Sequence, residues 1–171
     1  MGSGDLEARI AKLEARLGAV EDLDAIHQLK SRYGQLVDAR YTRRGPKPRQ
    51  ELEPIAREIA GLFSTRAVWD GGAGLGLCTG REAIYQRFVE PTLQFSWHFF
   101  LKPNLEVTGD TARGTWDILS PCTTAEGRPM WMAGVEHDEY VREDGLWLHQ
   151  SMRLDLVFMV PYERGWGPAK R

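Results

Sequence analysis

Three tight-turn signals divide the second half of the chain and leave little freedom in how it folds. Gly109-Asp110, Glu126-Gly127 and Asp144-Gly145 separate long segments rich in aromatic and β-branched residues, near 95 to 108, 111 to 122, 129 to 141 and 146 to 160. Glycine beside an acidic residue supplies the backbone freedom a short hairpin needs, so such brief connections predict an antiparallel meander. The first half reads differently. Apolar residues at Leu6, Ile10, Leu13, Leu17 and Val20 alternate steps of four and three, which is one stripe of an amphipathic helix. That stripe is short for a self-standing coiled coil, and it is expected to pack on the domain or on a neighbouring subunit. The pattern resumes with Ile26, Leu29, Tyr33, Leu36 and Val37 and stops in RYTRRGPKPRQ, where glycine and two prolines interrupt any helix and the run of cations reads as a solvated loop. A second helix is predicted over Leu52 to Phe63, with Pro54 in its first turn, and a third from Arg81 toward Val89. Between them AVWDGGAGLGLCTG reads as two short extended segments around a turn. Helices first and a curled antiparallel sheet afterwards is an α+β pattern, with three helices held against one face of the sheet. One domain over residues 5–166 is expected, with residues 1–4 a cloning remnant and 167–171 a tail.

Composition narrows the function classes. With 171 residues the chain can hold a core and a pocket together. A net charge of −2 provides no basic field, which argues against a nucleic-acid partner. Cys78 and Cys122 stand far apart, outside metal-ligand spacing, and read as two reduced, half-buried thiols. No apolar run suits a membrane span and the charged start lacks a signal-peptide core, so a cytoplasmic location without membrane contact is expected. GGAGLG lacks the lysine a phosphate loop requires.

The segment FSWHFFLKPN places a histidine among aromatic side chains. A buried imidazole must find partners for its ring nitrogens or lose stability, so His98 is either an accepted cost or a working part. Strand alternation puts Phe95, Trp97, Phe99 and Leu101 on one face and Ser96, His98, Phe100 and Lys102 on the other. Extended through the last strand, the same alternation sets Leu148, Met152 and Leu154 opposite His149, Ser151, Arg153 and Asp155. Either the mixed faces meet water, or they line a cavity under the helices while the apolar faces meet another subunit. Phe100, Val157 and Met159 on the mixed faces support the cavity. His27, His137 and His149 form no metal-ligand pattern, and no metal is expected.

VEDLDAIHQLKSRYGQLVD, the S-x-H of FSWHF, EYVREDGLW and RLDLVFMVPYERGW together resemble the SnoaL-like branch of the nuclear transport factor 2-like superfamily, over nearly the whole chain. The resemblance implies a cone-shaped α+β barrel. It also implies a cofactor-independent lyase, a dehydratase or related β-eliminating enzyme acting on a hydrophobic ring-containing small molecule. Asp38 and His98 stand where relatives carry an aspartate–histidine pair, Tyr33 matches a tyrosine five residues before the aspartate, and Arg153 precedes Pro161 as a family arginine precedes a proline. These four are the expected catalytic residues, converging on one cavity. Trp69, Ile118, Met132 and Glu136 are the expected substrate-binding residues. The implied assembly is a homo-oligomer, a trimer first and a dimer second. An isomerase of the ketosteroid type and a non-catalytic small-molecule-binding module are the alternatives, because this fold hosts many functions.

Overall fold

The computed structural model describes residues 3–164. Helix α1, Ser3–Asp38, runs unbroken for 36 residues, a length of about 54 Å at the usual rise. Its first part stands clear of the body, for residues 4–17 are exposed throughout. Of the two expected packing places for its apolar stripe, the chain's own domain is therefore not used. Ser3 and Gly4 belong to this helix. The helix meets the body at Asp22, which accepts hydrogen bonds from Arg142 (2.8 Å) and Trp147 Nε1 (3.1 Å). From there Ile26, Leu29, Tyr33, Leu36 and Val37 are buried, as their spacing predicts. No described helix is long and apolar enough to cross a membrane.

The cationic loop after α1 is pinned into a small hairpin, β1 (Tyr41–Thr42) with β2 (Gly45–Pro46). Helix α2, Arg49–Gly61, begins three residues before the predicted start, because the Pro48 carbonyl already accepts from the amides of Glu51 and Leu52. It buries Leu52, Ala56 and Ile59 at helical spacing. Then come β3 (Phe63–Asp70), the single turn α3 (Gly72–Leu75), β4 (Leu77–Thr79) and α4 (Arg81–Val89). The remaining strands are β5 (Phe95–Ser96), β6 (Phe99–Thr108), β7 (Thr111–Thr123), β8 (Pro129–Glu143) and β9 (Leu146–Pro161). The predicted tail at 167–171 lies outside the described residues.

Among the described residues the main sheet has the order β4-β3-β9-β8-β7-β5, with β6 also on β7, and it curves without closing. The meander from β6 to β9 is antiparallel as its turns predict, but β3 joins β9 in parallel. The sheet is therefore mixed, because β3 reaches β9 from the helical half of the chain and no hairpin fixes its direction. Helices α1, α2 and α4 pack over the concave face through a core that includes Tyr33, Val37, Ile59, Phe63, Phe88 and Met152.

Two irregularities decide which side chains face inward. The long strand predicted from 95 is interrupted at Trp97 and His98. Ser96 pairs with Cys122 and Phe99 with Leu119, so Pro121 falls opposite the interruption and has no N–H to offer the ladder. The His98 amide instead donates to the Asp38 carboxylate at 3.1 and 3.2 Å. In β9, Tyr140 pairs with His149 while Glu139 pairs with Ser151, leaving Gln150 as an extra residue. A second extra residue, Val157, sits between the pairs Ala133–Phe158 and Gly134–Leu156. Each bulge reverses the alternation. Trp147 and His149 are buried before Gln150, and Met152 and Leu154 after it. The simple alternation predicted for the last strand therefore fails, and Arg153 lies on the outer face, half exposed and ion-paired with Asp155.

Candidate functional site

The concave face, α1 and α4 enclose a chamber of about 50 Å³ whose walls include Tyr33, Arg40, Trp69, His98, Ile118 and Glu136. It shares Leu93, Ser96, His98, Met132 and Leu154 with a wider, mainly apolar vestibule of about 670 Å³. The inner space admits a few atoms, and the vestibule gives room for a ring-sized molecule to approach His98.

His98 is held from both sides. Its Nδ1 lies 2.6 Å from Asp38 Oδ1, and its Nε2 lies 3.2 Å from Ser96 Oγ, which is 3.1 Å from Ser120 Oγ. Asp38 approaches from the end of α1, outside the chamber, and its bonds to both the ring and the amide of His98 fix the side chain and the strand break together. The ring stacks on Phe100 with centroids 6.0 Å apart. A carboxylate on Nδ1 favours the tautomer whose Nε2 carries the lone pair, which accepts from the Ser96 hydroxyl. The histidine in FSWHFF is thus partnered rather than stranded in the core.

Tyr33 is buried among Phe63, Phe88, Phe100 and His149, and its hydroxyl accepts a hydrogen bond from Trp69 Nε1 at 3.0 Å. Burial and then the charge at Glu136 hold its phenol well above the ordinary value, so it stays protonated. With one lone pair engaged by Trp69, the hydroxyl keeps its proton to donate.

The structure brings Tyr33, His98, Trp69, Ile118, Met132 and Glu136 to one chamber, with Asp38 behind His98. It does not bring Arg153 there. The Gln150 bulge turns that side chain to the other face of the sheet, where it meets solvent and Asp155. The cation on the chamber wall is Arg40, joined near the vestibule by Arg87. Arg40 Nε donates to the Val37 carbonyl at 3.0 Å, and its guanidinium lies over the Phe88 ring at 4.7 Å. Burial lowers its pKa from the ordinary value. Sequence reasoning missed Arg40 because it sits at the head of a basic loop that reads as solvated.

Glu136 was expected to bind substrate, and the fold gives it a further partner. It is ion-paired with Lys30, which also binds Asp138 at 2.7 Å. All three are buried. Burial works against the Lys30 ammonium, yet Asp138 and Glu136 outweigh it and hold its pKa above the ordinary value. Burial pushes the Glu136 carboxyl up, and Lys30 opposes that shift. Asp138 also accepts from the Tyr140 hydroxyl at 2.7 Å, which in turn accepts from Trp116 Nε1 at 2.9 Å. The signal for Lys30 was present in the sequence: it falls one helical turn after Ile26 and just before Tyr33, a lysine inside an apolar stripe. His149 was also missed. It is fully buried against Tyr140 and Phe63, and burial lowers its pKa to about 3.

Several solved structures share this fold. A hexachlorocyclohexane dehydrochlorinase, type 2, superposes with a TM-score of 0.70 at 22% identity, over 91% of this chain and 97% of that one. A type 3 dehydrochlorinase from Novosphingobium barchaimii gives 0.68 at 22%, over 91% and 99%. A candidate scytalone dehydratase from Novosphingobium aromaticivorans gives 0.68 at 18%, over 84% and 89%. At these identities the likeness establishes a shared fold. No curated protein sequence matches the chain. The model of the SnoaL-like domain matches residues 54–153, the stretch that builds α4, the concave strands and the strand break carrying His98, and the chain accordingly belongs to the SnoaL-like family.

Proposed function

We propose that the protein is a cofactor-independent lyase that removes water or a comparable small group from a hydrophobic ring-bearing molecule. The observation that carries this reading is the contact between Asp38 and His98 Nδ1 on the chamber wall, with Nε2 beside the Ser96 hydroxyl, which has Ser120 Oγ as its other partner when Nε2 acts on substrate. In the proposed step, Nε2 takes a proton from a carbon next to the one bearing the leaving group. The C–H electrons form the new double bond, the bond to the leaving oxygen breaks, and that oxygen takes a proton from the Tyr33 hydroxyl or from solvent. Asp38 holds the tautomer and stabilises the imidazolium that forms. Arg40, rather than Arg153, supplies positive charge toward the developing oxyanion. Trp69, Ile118 and Met132 supply the apolar and aromatic walls that a ring would contact. The neighbouring dehydrochlorinases and the dehydratase candidate make elimination the natural reading for this chamber.

Glu136 favours a second reading. A carboxyl pushed up by burial on the same chamber wall is a second proton acceptor, and an acidic base beside a retained proton donor would suit an isomerase that moves a double bond. Product mass separates the two. A panel of hydroxylated and halogenated ring compounds is screened by thermal shift, and compounds that raise Tm are followed by liquid chromatography and mass spectrometry. Elimination gives a product lighter by the leaving group and its proton. An isomer of unchanged mass supports the second reading, and binding without any product supports a ligand-carrying module.

A further inference from the structure

The free part of α1 carries a surface that the proposed chemistry does not use. Leu6, Ile10, Leu13, Leu17 and Val20 are 45% to 62% exposed, a continuous apolar stripe on a helix that touches the body only from about Gly18 onward. The stripe is not an extension of the face that packs on the sheet. Counting 100° per residue, its centre lies about 180° around the helix from the row Ile26, Leu29, Tyr33 and Val37. It is turned away from its own domain. Burial by the body cannot account for it, and solvent alone does not select a row of leucines.

The flanks of the stripe identify what covers it. Set in heptads, Ile10 and Leu17 take position a, and Leu6, Leu13 and Val20 take position d. Position e is then Glu7, Glu14 and Glu21, and position g is Arg9 and Arg16. One flank is a row of acids and the other a row of bases. In a parallel, in-register pair, a residue at g faces the e residue five positions later on the partner, which sets Arg9 against the partner copy's position 14 and Arg16 against its position 21. Every such contact joins opposite charges. In an antiparallel pair e faces e and g faces g, which sets acid against acid and base against base. The rows are therefore complementary to themselves in one orientation only. A membrane surface is a poorer match, because interfacial helices carry basic polar faces and this one has an acidic row beside its apolar stripe. The pattern ends at Asp24, in position a, two residues after Asp22, which anchors the helix to Arg142 and Trp147.

We infer that the first five turns of α1 pair with the same segment of a second copy of this chain, parallel and in register. Because the stripe faces away from the body, the two domains lie on opposite outer sides of the helix pair and do not obstruct it. Ile10 at a with Leu13 at d favours two strands. The segment is short for an isolated coiled coil, so the attached domain, which fixes its last turns as helix, lowers the ordering it must undergo.

The test is site-directed crosslinking in the full chain. Leu6→Cys places thiols opposite each other in a parallel, in-register pair. Mild oxidation at micromolar concentration is expected to give a covalent dimer on non-reducing gels, well above the level of the parent chain, whose Cys78 and Cys122 serve as the background. Adding Arg9→Glu and Arg16→Glu to that variant sets acid against acid and is expected to slow crosslinking roughly tenfold. Mixing it with a Leu6→Cys chain carrying Glu7→Arg, Glu14→Arg and Glu21→Arg is expected to restore the rate in the mixed dimer. The proposal is overturned if Leu6→Cys crosslinks no faster than the parent. It is equally overturned if crosslinking is fastest between separate Leu6→Cys and Leu17→Cys chains, the antiparallel result, or if reversing the g-row charges leaves the rate unchanged.

Discussion

At the level of single residues, the informative ones are ionisable groups that the fold has taken out of water. His98 was legible in the sequence because an imidazole amid aromatic strand residues needs a reason, and Lys30 was equally visible as a charge inside an apolar stripe. Asp38 and Tyr33 entered through the family resemblance, and their spacing alone would not have distinguished them from ordinary helix residues. His149 was not legible, because one unpaired bulge residue decides whether it faces the core. Its titration gives a prediction. Burial holds its pKa at about 3, below the ordinary 6.5, so between those values the unfolded chain binds a proton that the folded chain refuses. It has no effect on stability above pH 6.5, and it destabilises the fold increasingly as pH falls from 6.5 toward 3. Neither ring nitrogen hydrogen-bonds to another described residue, so His149→Leu removes a desolvated polar group at little cost. Thermal unfolding followed from pH 7 to 4 should show a shallower loss of Tm in His149→Leu than in the parent, and parallel curves would refute the assignment. Within the dyad, Asp38→Asn should nearly match His98→Ala in lost turnover, since an amide NH2 facing Nδ1 selects the wrong tautomer. Tyr33→Phe should cost about 10²-fold to 10⁴-fold, as for loss of one general acid.

Among the elements, β9 carries the most consequence. Its strand character, its turn with β8 and its apolar content were all legible, since Asp144-Gly145 and the aromatic and branched residues dictate them. Its two bulges were not, because an inserted residue leaves no mark on composition and reverses every side chain beyond it. That is why Arg153 was expected in the chamber and lies outside, while Arg40 was read as part of a solvated loop and is buried. The parallel pairing of β3 escaped for a related reason: local turn signals report hairpins, and this contact joins distant segments. Gly134 tests the bulge at Val157. A Cβ there would lie 2.7 Å from the Asp155 carbonyl oxygen and 2.8 Å from Leu154 Cδ1, so β8 must stay bare for β9 to bend across it. Gly134→Ala should destabilise the fold by about 1–3 kcal/mol through overpacking, read as a lower denaturation midpoint at unchanged m-value. An unchanged midpoint would mean that β9 relaxes freely and that the bulge does not set the inward face.

Across the whole molecule, the helical layer closes one face of the curved sheet over the chamber and leaves the opposite face to others. On that outer face Trp97, Phe99 and Leu101 are 46% to 48% exposed, a row too apolar to select for solvent alone. The α+β class was legible from helical spacing followed by turn signals, whereas alternation left open whether the face carrying His98 meets a cavity or water, because the strand breaks at that residue. The outer row, by the same alternation, is the expected seat of homo-oligomer contacts. Trp97→Asp with Phe99→Asp should lower the mass measured by light scattering at micromolar concentration, and an unchanged mass would remove this face from the assembly. The chamber itself rests on a single claim, that His98 held by Asp38 removes the proton in an elimination. The most direct measurement is product formation by the parent chain and by His98→Ala on the same ring-bearing compound, followed by mass spectrometry with circular dichroism as a control for folding. The parent is expected to give a product lighter by the leaving group and its proton, and a folded His98→Ala variant is expected to give none. Equal turnover by that variant would contradict it and move the chemistry to another residue of the chamber, Glu136 first.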